Sequence, residues 1–476
     1  MKLPLADGFY ESDSLPVSAQ ECTNLYPVTP EQESVSDRVL FGTPGLAQRV
    51  TTGSDSSDAN RGSHSYKDVP YFVNGTSLYS VDRNYTSTSL GTIAGKKRVS
   101  MADNGNQLMI LEPGGSGYIY DGSLTEITDD GFTANGNPQF CEYIDGYFVV
   151  STDTKKFIIS SINNGKSWNS LDRGTAEADP DTITRPVVLN NQLYVFGSET
   201  IEAFANQPRG ADFPFIRTGA FAEKGSRSPY SIIKAGSAIY FIGSSAGESP
   251  AVWRFTGGEP EKISTKAIDS FLHKQTKTEI EDIFAWYYGQ KGNYFIGFTL
   301  TNTCLVFDTS EGKWHERKST VTYPAGDKET TRYRVNSVVP AYGGLLCGDF
   351  LDGKIGALDI NIYSEYGAEI IRTRSTMPFT NEMKSFTVPR IELTMESGMG
   401  NSDTTDPQVT LERSLNSKTF SQPRARSVGK VGEFDKRQIW YKNGRGNRLE
   451  VFRFSTAAKS KIVMARLDAE VLPGRK

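Results

Sequence analysis

Short runs of aromatic and aliphatic residues, most of them opened by Gly or Asn, recur along the chain about every 40 to 55 residues. They read VPYFVNGTSLYSVD at 69–82, NGNQLMIL at 104–111, DGYFVVSTDTKKFIIS at 145–160, NNQLYVFGSETIEAF at 190–204, GSAIYFIGS at 236–244, KGNYFIGFTLTNTCLVFD at 291–308 and YGGLLCGDFLDGKIGALD at 342–359. Each run has the length and composition of short β-strands bounded by turn residues. A unit of this size holds about four such strands, and repetition at that period predicts a β-propeller. The seven strand pairs leave two counts open: six blades plus a closing hairpin, or seven complete blades.

The pattern divides the chain into three regions. Residues 1–65 carry Pro4, Pro16, Pro27, Pro30 and Pro44 and end in the low-complexity run TTGSDSSDANRGS, which predicts an irregular N-terminal arm. The propeller is expected over 66–362. A short helical insertion is expected near 267–288, where Ile268, Phe271, Leu272, Ile280, Ile283, Phe284 and Trp286 fall at helical spacing; the next strand is expected to start at Gly292. From 363 to 476 the long period is lost, but FTVPRIELTMES, QVTLERS, RQIWYK, RLEVFRFS and KIVMARLDAEV alternate apolar and polar residues. That predicts a separate C-terminal β-sandwich-like domain. The fold class is all-β.

Composition agrees: 476 residues with 45 Gly, 22 Pro and 22 Tyr suit many short strands joined by tight turns. No stretch of about 18 apolar residues is present to span a bilayer, and the opening MKLPLADGFYESDSLP lacks the apolar core of a secretory signal. Cys22, Cys141, Cys304 and Cys347 are scattered without CxxC spacing, as expected for buried thiols in a reducing cytosol. Charge is distributed unevenly. From Tyr366 onward 20 Lys and Arg stand against 12 Asp and Glu, a net of +8, so the preceding residues carry −12 of the total of −4. An acidic body joined to a basic end suits contact between subunits or with an acidic partner.

The segment SINNGKSW at 161–168 fits the Asp-box hairpin. There Asn163 is expected to cap backbone N–H groups, Gly165 to take a positive φ, and Trp168 to pack between strands. A related turn is expected in VFDTSEGKWHERKS, with Asp308 ending a strand, Gly312 turning the chain and Trp314 starting the next. Both readings are structural.

Asp boxes also occur in sialidases, which makes Glu142, Asp145, Glu199 and Glu202 candidates for an acid and base pair; nothing in their spacing assembles one. His64, His273 and His315 stand apart, without metal-ligand spacing. The glycine runs EPGGSGY and KNGRGNR lack a P-loop ending, and Ser226 and Ser228 in GSRSPYS lack a strand-to-helix elbow. No catalytic, cofactor-binding or metal-binding residue is predicted, and no enzyme activity. A basic cluster, Arg424, Arg426, Lys430, Lys436, Arg437, Lys442, Arg445, Arg448 and Arg453, lies near Trp440, Tyr441 and Phe454. It suits protein contact or a solvated face, with DNA backbone contact as the other reading.

Several segments carry a specific resemblance over nearly the whole chain. ECTNLYPVTPEQ and VLFGTPGL lie near the start, KKRVSMA and FGSETIEAF among the repeats, then STKAIDSFL, EIEDIFAWYY and VFDTSEGKWHERKS, and FDKRQIWYKNGRGNRLEVFRFS near the end. In this order they resemble the packaged-DNA stabilisation proteins of short-tailed phages, also called tail accessory or tail hub proteins. The resemblance implies a structural virion protein of the tail, made in the host cytoplasm. It implies a homo-hexameric ring below the portal and its adaptor, extending the DNA channel, helping to retain packaged genome, and offering attachment for a tail needle or plug and for tailspikes. It implies no cofactor, no membrane and no sequence-specific DNA binding. Assembly contacts are expected in the arm and at the C-terminal end: Asn24, Leu25, Tyr26, Pro27, Gly42, Thr43, Pro44, Gly45, Arg445, Arg448 and Arg453. A carbohydrate-binding or glycoside-hydrolysing propeller is the alternative from another class.

Overall fold

The computed structural model describes residues 1–176, 181–207, 213–322, 326–381, 384–446 and 448–474. Seven four-stranded antiparallel blades surround one axis. Six are consecutive meanders, at 60–92, 100–126, 138–175, 183–222, 233–262 and 284–322. The seventh uses Val335–Ala341, Gly344–Asp349 and Lys354–Asp359, and takes its outermost strand, Gly45–Thr51, from near the start of the chain. The chain then passes from the rim of the seventh blade to the inner strand of the first. This clasp decides the open count in favour of seven complete blades and removes the free edge an open ring would leave.

The recurrent Asn and Gly positions have a backbone cause. Before the second strand of five of the seven blades lie pairs of residues with positive φ: Lys67 and Asp68, Asp145 and Gly146, Asn190 and Asn191, Lys291 and Gly292, Tyr342 and Gly343. Two consecutive positive φ values are what a two-residue type I′ hairpin requires, and its twist matches that of the strands. The strands that follow are buried on both faces because blades stack face to face. Leu108–Leu111 and Ala238–Gly243 have no exposed residue, and aromatic edges interlock between blades, Phe157 on Phe204 at 5.1 Å and Phe196 on Phe241 at 5.2 Å.

Among the described residues α-helix is confined to α1 (Lys266–His273), capped by Thr265, and α2 (Lys277–Glu281), opened by a capping box between Thr276 and Glu279. The helical reading through 288 is corrected here. Phe284, Trp286 and Tyr288 alternate inward on a strand, Phe284–Gln290, the innermost of the sixth blade, and Gly292 lies in the turn that follows it.

The irregular arm is also corrected, since the first 51 residues are built into both halves of the molecule. Leu25–Val28 and Val39–Gly42 extend a sandwich sheet that runs through Val463–Pro473 and Phe386–Met395 to Gln438–Tyr441, and Lys2–Leu3 pairs with Val463–Pro473. Cys22–Thr23 bridges the halves: Thr23 pairs with Glu316 of the sixth blade on one side and with Thr373 on the other. Through it the sixth blade continues as one ten-stranded sheet into the sandwich strands Arg372–Ser375, Val451–Thr456, Gln408–Ser414 and Arg424–Ser427. The C-terminal region is a β-sandwich, but hydrogen-bonded to the propeller instead of standing apart from it. One apolar cluster crosses the junction, with Leu3, Leu25 and Leu40 from the start, Leu305 and Trp314 from the sixth blade, and Trp440, Phe454 and Met464 from the end.

Candidate functional site: the junction, the basic face and the propeller axis

The residues expected to meet other subunits at the start of the chain face inward. Asn24, Leu25, Tyr26, Pro27, Thr43, Pro44 and Gly45 are buried, and a Cβ on Gly42 would lie 2.6 Å from Arg372 Nε. Asn24 is the pivot. Its φ of 54° turns the chain from the bridging strand into the sandwich, a conformation Asn tolerates because its short amide bonds locally. Its Nδ2 donates to Lys318 O at 2.9 Å and Ile371 O at 2.8 Å, and its Oδ1 accepts from Lys318 N at 3.1 Å. Thr43 closes the loop by donating its backbone N–H to Asn24 O at 3.1 Å. Gly45 is required for space, since a Cβ there would sit 2.4 Å from Ser364 O. These motifs are the internal lock between propeller and sandwich.

Buried arginines do the same work, and sequence reasoning missed them because nothing local marks an arginine as internal. Arg374 donates to Gly8 O, Glu21 O and Gln20 Oε1, and Arg372 donates to Ala458 O at 3.1 Å. Arg317 bonds Tyr288 OH at 2.7 Å and His315 Nε2 at 3.2 Å, with Trp286, Phe295 and Tyr333 around its guanidinium. Burial, with Arg317 beside it, holds His315 well below the usual imidazole range, so the ring is neutral and accepts the bond. Guanidinium groups, held through part of their donor set by carbonyls and packed against rings, suit such positions better than ammonium groups.

In the Asp-box hairpin Trp168 is buried against Phe132 at 4.9 Å and donates Nε1–H to Gly165 O at 2.9 Å. The roles of its neighbours differ from expectation. Asn163 takes the positive φ, and Asn164 Oδ1 caps Lys166 N at 3.1 Å. Gly165 is there because a Cβ would strike Ile119 at 2.6 Å. In the other hairpin Gly312 has a φ of 63°. Asp308 is buried and accepts from Asn293 Nδ2 and Ser310 N at 2.8 and 2.9 Å. Trp314 packs on Phe307 at 5.0 Å and donates to Ile263 O at 3.1 Å.

Much of the basic cluster is consumed inside the sandwich. Arg424 and Arg426 donate to Tyr441 O and Ile439 O, sealing the edge strand Gln438–Tyr441. Arg437 is bidentate on Glu392, and Arg453 is bidentate on Glu412 with Phe420 beneath it. Arg445 holds Ser385 Oγ at 2.8 Å from an exposed position. Lys430, Lys436, Lys442 and Arg448 remain exposed.

The hydrolase candidates do not form a pair. Glu142 is on an inner strand facing the axis, Asp145 is in a hairpin turn bonded to Asn206, Glu199 pairs with Arg227 at 2.6 Å, and Glu202 pairs with Arg217 at 3.1 Å on an outer strand. Ser226 and Ser228 are fully buried and donate to Ile242 O and Ile283 O. At the axis, Tyr230 reaches Arg98 O, and Arg98 lies 3.8 Å from the Phe284 ring centre. Among the described residues no group of three or more His, Cys, Asp or Glu could hold a metal ion, and no helix is long and apolar enough to cross a membrane.

Comparison with known proteins places this architecture. Residues 1–363 match the family model described as Bacteriophage P22 Gp10, beta-propeller, and residues 372–472 match Bacteriophage P22 Gp10, beta-sandwich. Tail hub protein gp10 of Salmonella phage P22 is 23% identical over 456 residues, covering 92% of each chain. Among solved structures, the WD40 β-propeller domain of Doa1 matches at 12% identity over 66% of this chain and 97% of its own, with a TM-score of 0.39. BamB from Moraxella catarrhalis matches at 11% over 71% and 97%, also with a TM-score of 0.39.

Proposed function

Because the chain belongs to the Gp10 family of bacteriophage P22, a family of structural tail proteins, we propose that it forms a hexameric ring in the tail of a short-tailed phage. In this reading the ring sits below the portal and its adaptor, continues the DNA channel, helps retain the packaged genome, and offers attachment to a needle or plug and to tailspikes. The observation that carries the reading is the match of both halves, in order, to the two parts of one tail hub family.

The architecture supports such a role. A propeller joined to a sandwich by a continuous ten-stranded sheet is a stiff body whose two parts cannot swing independently, which suits a wall element. The acidic excess of the first 365 residues would repel phosphates, so a channel lined by that part would let DNA slide. The contacts between neighbours are expected on exposed faces, because the NLYP and GTPG motifs are consumed internally. The test is electron microscopy of purified virions. A closed ring of six copies of this chain between portal and needle is expected; its absence from the tail, or an open or differently numbered arrangement, would overturn the reading. The carbohydrate alternative draws on the convergence of Arg98, Arg185 and Glu142 at the axis, and saturable turnover of a glycoside that vanished in Glu142→Gln would favour it.

A further inference from the structure

The inner strands of all seven blades contribute to one open cavity on the propeller axis, with a volume of about 320 Å3. That is the low end of the range for small-molecule sites. Its wall is unusual in charge. Arg98, Arg185 and Lys234 reach it from three different blades, and among the described residues none of the three is in an ion pair. His64 is already held by Asp103 at 2.7 Å. Glu142 is the one carboxylate among the described residues on the wall; burial raises its pKa while Arg185 and Lys234 pull it back, and one carboxylate stands against three cations.

The arginines are positioned by only part of their donor sets. Arg98 Nη2 donates to Asn336 O at 2.5 Å, and Arg185 Nη1 donates to Pro229 O and Ile232 O at 3.2 and 3.1 Å. Arg185 Nε and Ser63 Oγ, both at the cavity, are buried without a partner. A cluster of cations facing a partly desolvated space is costly unless an anion completes it. This one stands inside the half of the chain that is otherwise acidic, so general surface charge does not account for it. Fixed guanidinium forks match a carboxylate, and Tyr287, the half-buried ring on the same wall, offers an apolar contact to the rest of a small molecule.

We propose that the axial cavity of the propeller is a binding site for a small organic carboxylate of about the size of a uronic acid. The site is separate from any ring contact, and it stands whether or not the chain forms the hexamer. The carboxylate lies between Arg185 and Lys234, and the ring lies against Tyr287.

Isothermal titration calorimetry on the full chain tests this with D-glucuronate, D-glucose and inorganic phosphate as probes. Saturable glucuronate binding is expected, without measurable glucose binding and with weaker phosphate binding. Lys234→Gln changes an exposed side chain and leaves folding intact; it is expected to weaken glucuronate about 2- to 5-fold, the effect of one partly exposed ion contact. Arg185→Lys is expected to weaken it further, and Glu142→Gln to tighten it by removing the repelling charge. No saturable glucuronate binding would overturn the proposal, as would equal glucose binding, preference for phosphate, or affinity unchanged in Lys234→Gln. If Arg185→Lys loses its native circular dichroism, the Lys234→Gln result decides alone.

Discussion

Replacing Asn24 tests whether the NLYP motif is an internal lock. In Asn24→Ala three side-chain hydrogen bonds disappear, those to Lys318 O, Ile371 O and Lys318 N. A typical buried bond contributes about 1 kcal/mol net, so their loss costs about 3 kcal/mol. Alanine must also adopt the φ of 54°, which costs an L-residue without local side-chain bonding about 1 to 2 kcal/mol. The sum is about 4 to 5 kcal/mol, a large part of the stability of an ordinary domain. Asn24→Gly separates the two contributions: it loses the same bonds but tolerates the backbone, so it should fall about 1 kcal/mol short of the alanine variant's loss. Guanidinium chloride unfolding, followed by tryptophan fluorescence and far-ultraviolet circular dichroism, reads both. If Asn24→Ala loses less than about 1 kcal/mol, or Asn24→Gly is the less stable of the two, the lock is misread.

Trp314→Ala empties a site between Phe307 and Phe298 and leaves Ile263 O unpaired; a loss of about 3 to 5 kcal/mol is expected in the same denaturation assay, and unchanged stability would refute the anchor. Burial first, then Glu21 and Glu316, push the Glu11 carboxyl up to about 7. A carboxyl raised on folding binds its proton more tightly in the folded state, so stability should fall as pH rises from about 4.5 through 7. Glu11→Gln should remove that component and be the more stable protein at pH 8 by thermal melting; an unchanged pH profile would count against it. Arg445→Gln with Arg448→Gln changes exposed cations that form no ion pair among the described residues; reduced incorporation into tails or leakage from filled heads is expected, whereas normal particles would mark this face as solvated. Adding Arg453→Gln confounds the result, because Arg453 holds Glu412.

What could be read in the sequence was local. The pairs before second strands, such as Asp145 with Gly146 and Asn190 with Asn191, announce type I′ turns by themselves, and so the propeller was legible. The alternation in Phe386–Met395 and Val463–Pro473 likewise showed the sandwich. The strand Gly45–Thr51 was not legible as the rim of the last blade, because its partner lies some 300 residues away and GLAQRVT has no feature naming it. Proline-rich composition made the start look irregular, although Pro27 sits within a strand next to Val39–Gly42. Phe284 and Trp286 satisfied helical and strand spacing together, and only the paired Phe295–Thr299 side decides. The axial cations come from separate blades and converge only in three dimensions.

The pairing of Lys2–Leu3 with Val463–Pro473, and of Gly45–Thr51 with Lys354–Asp359, has a consequence in time. At about 5 to 20 residues per second of synthesis, Leu3 waits roughly 20 to 90 s for Leu467, its partner in register. Meanders such as 100–126 and 138–175 need only near neighbours and can form meanwhile. Until Lys354–Asp359 is made Gly45–Thr51 has no partner strand, and until Val463–Pro473 is made Lys2–Leu3 and one side of Val39–Gly42 have none. Each nascent molecule therefore spends its youth with open β-edges of the kind that join neighbouring chains, on polysomes where its siblings are closest. The last strand synthesised is the one that makes the first strand safe.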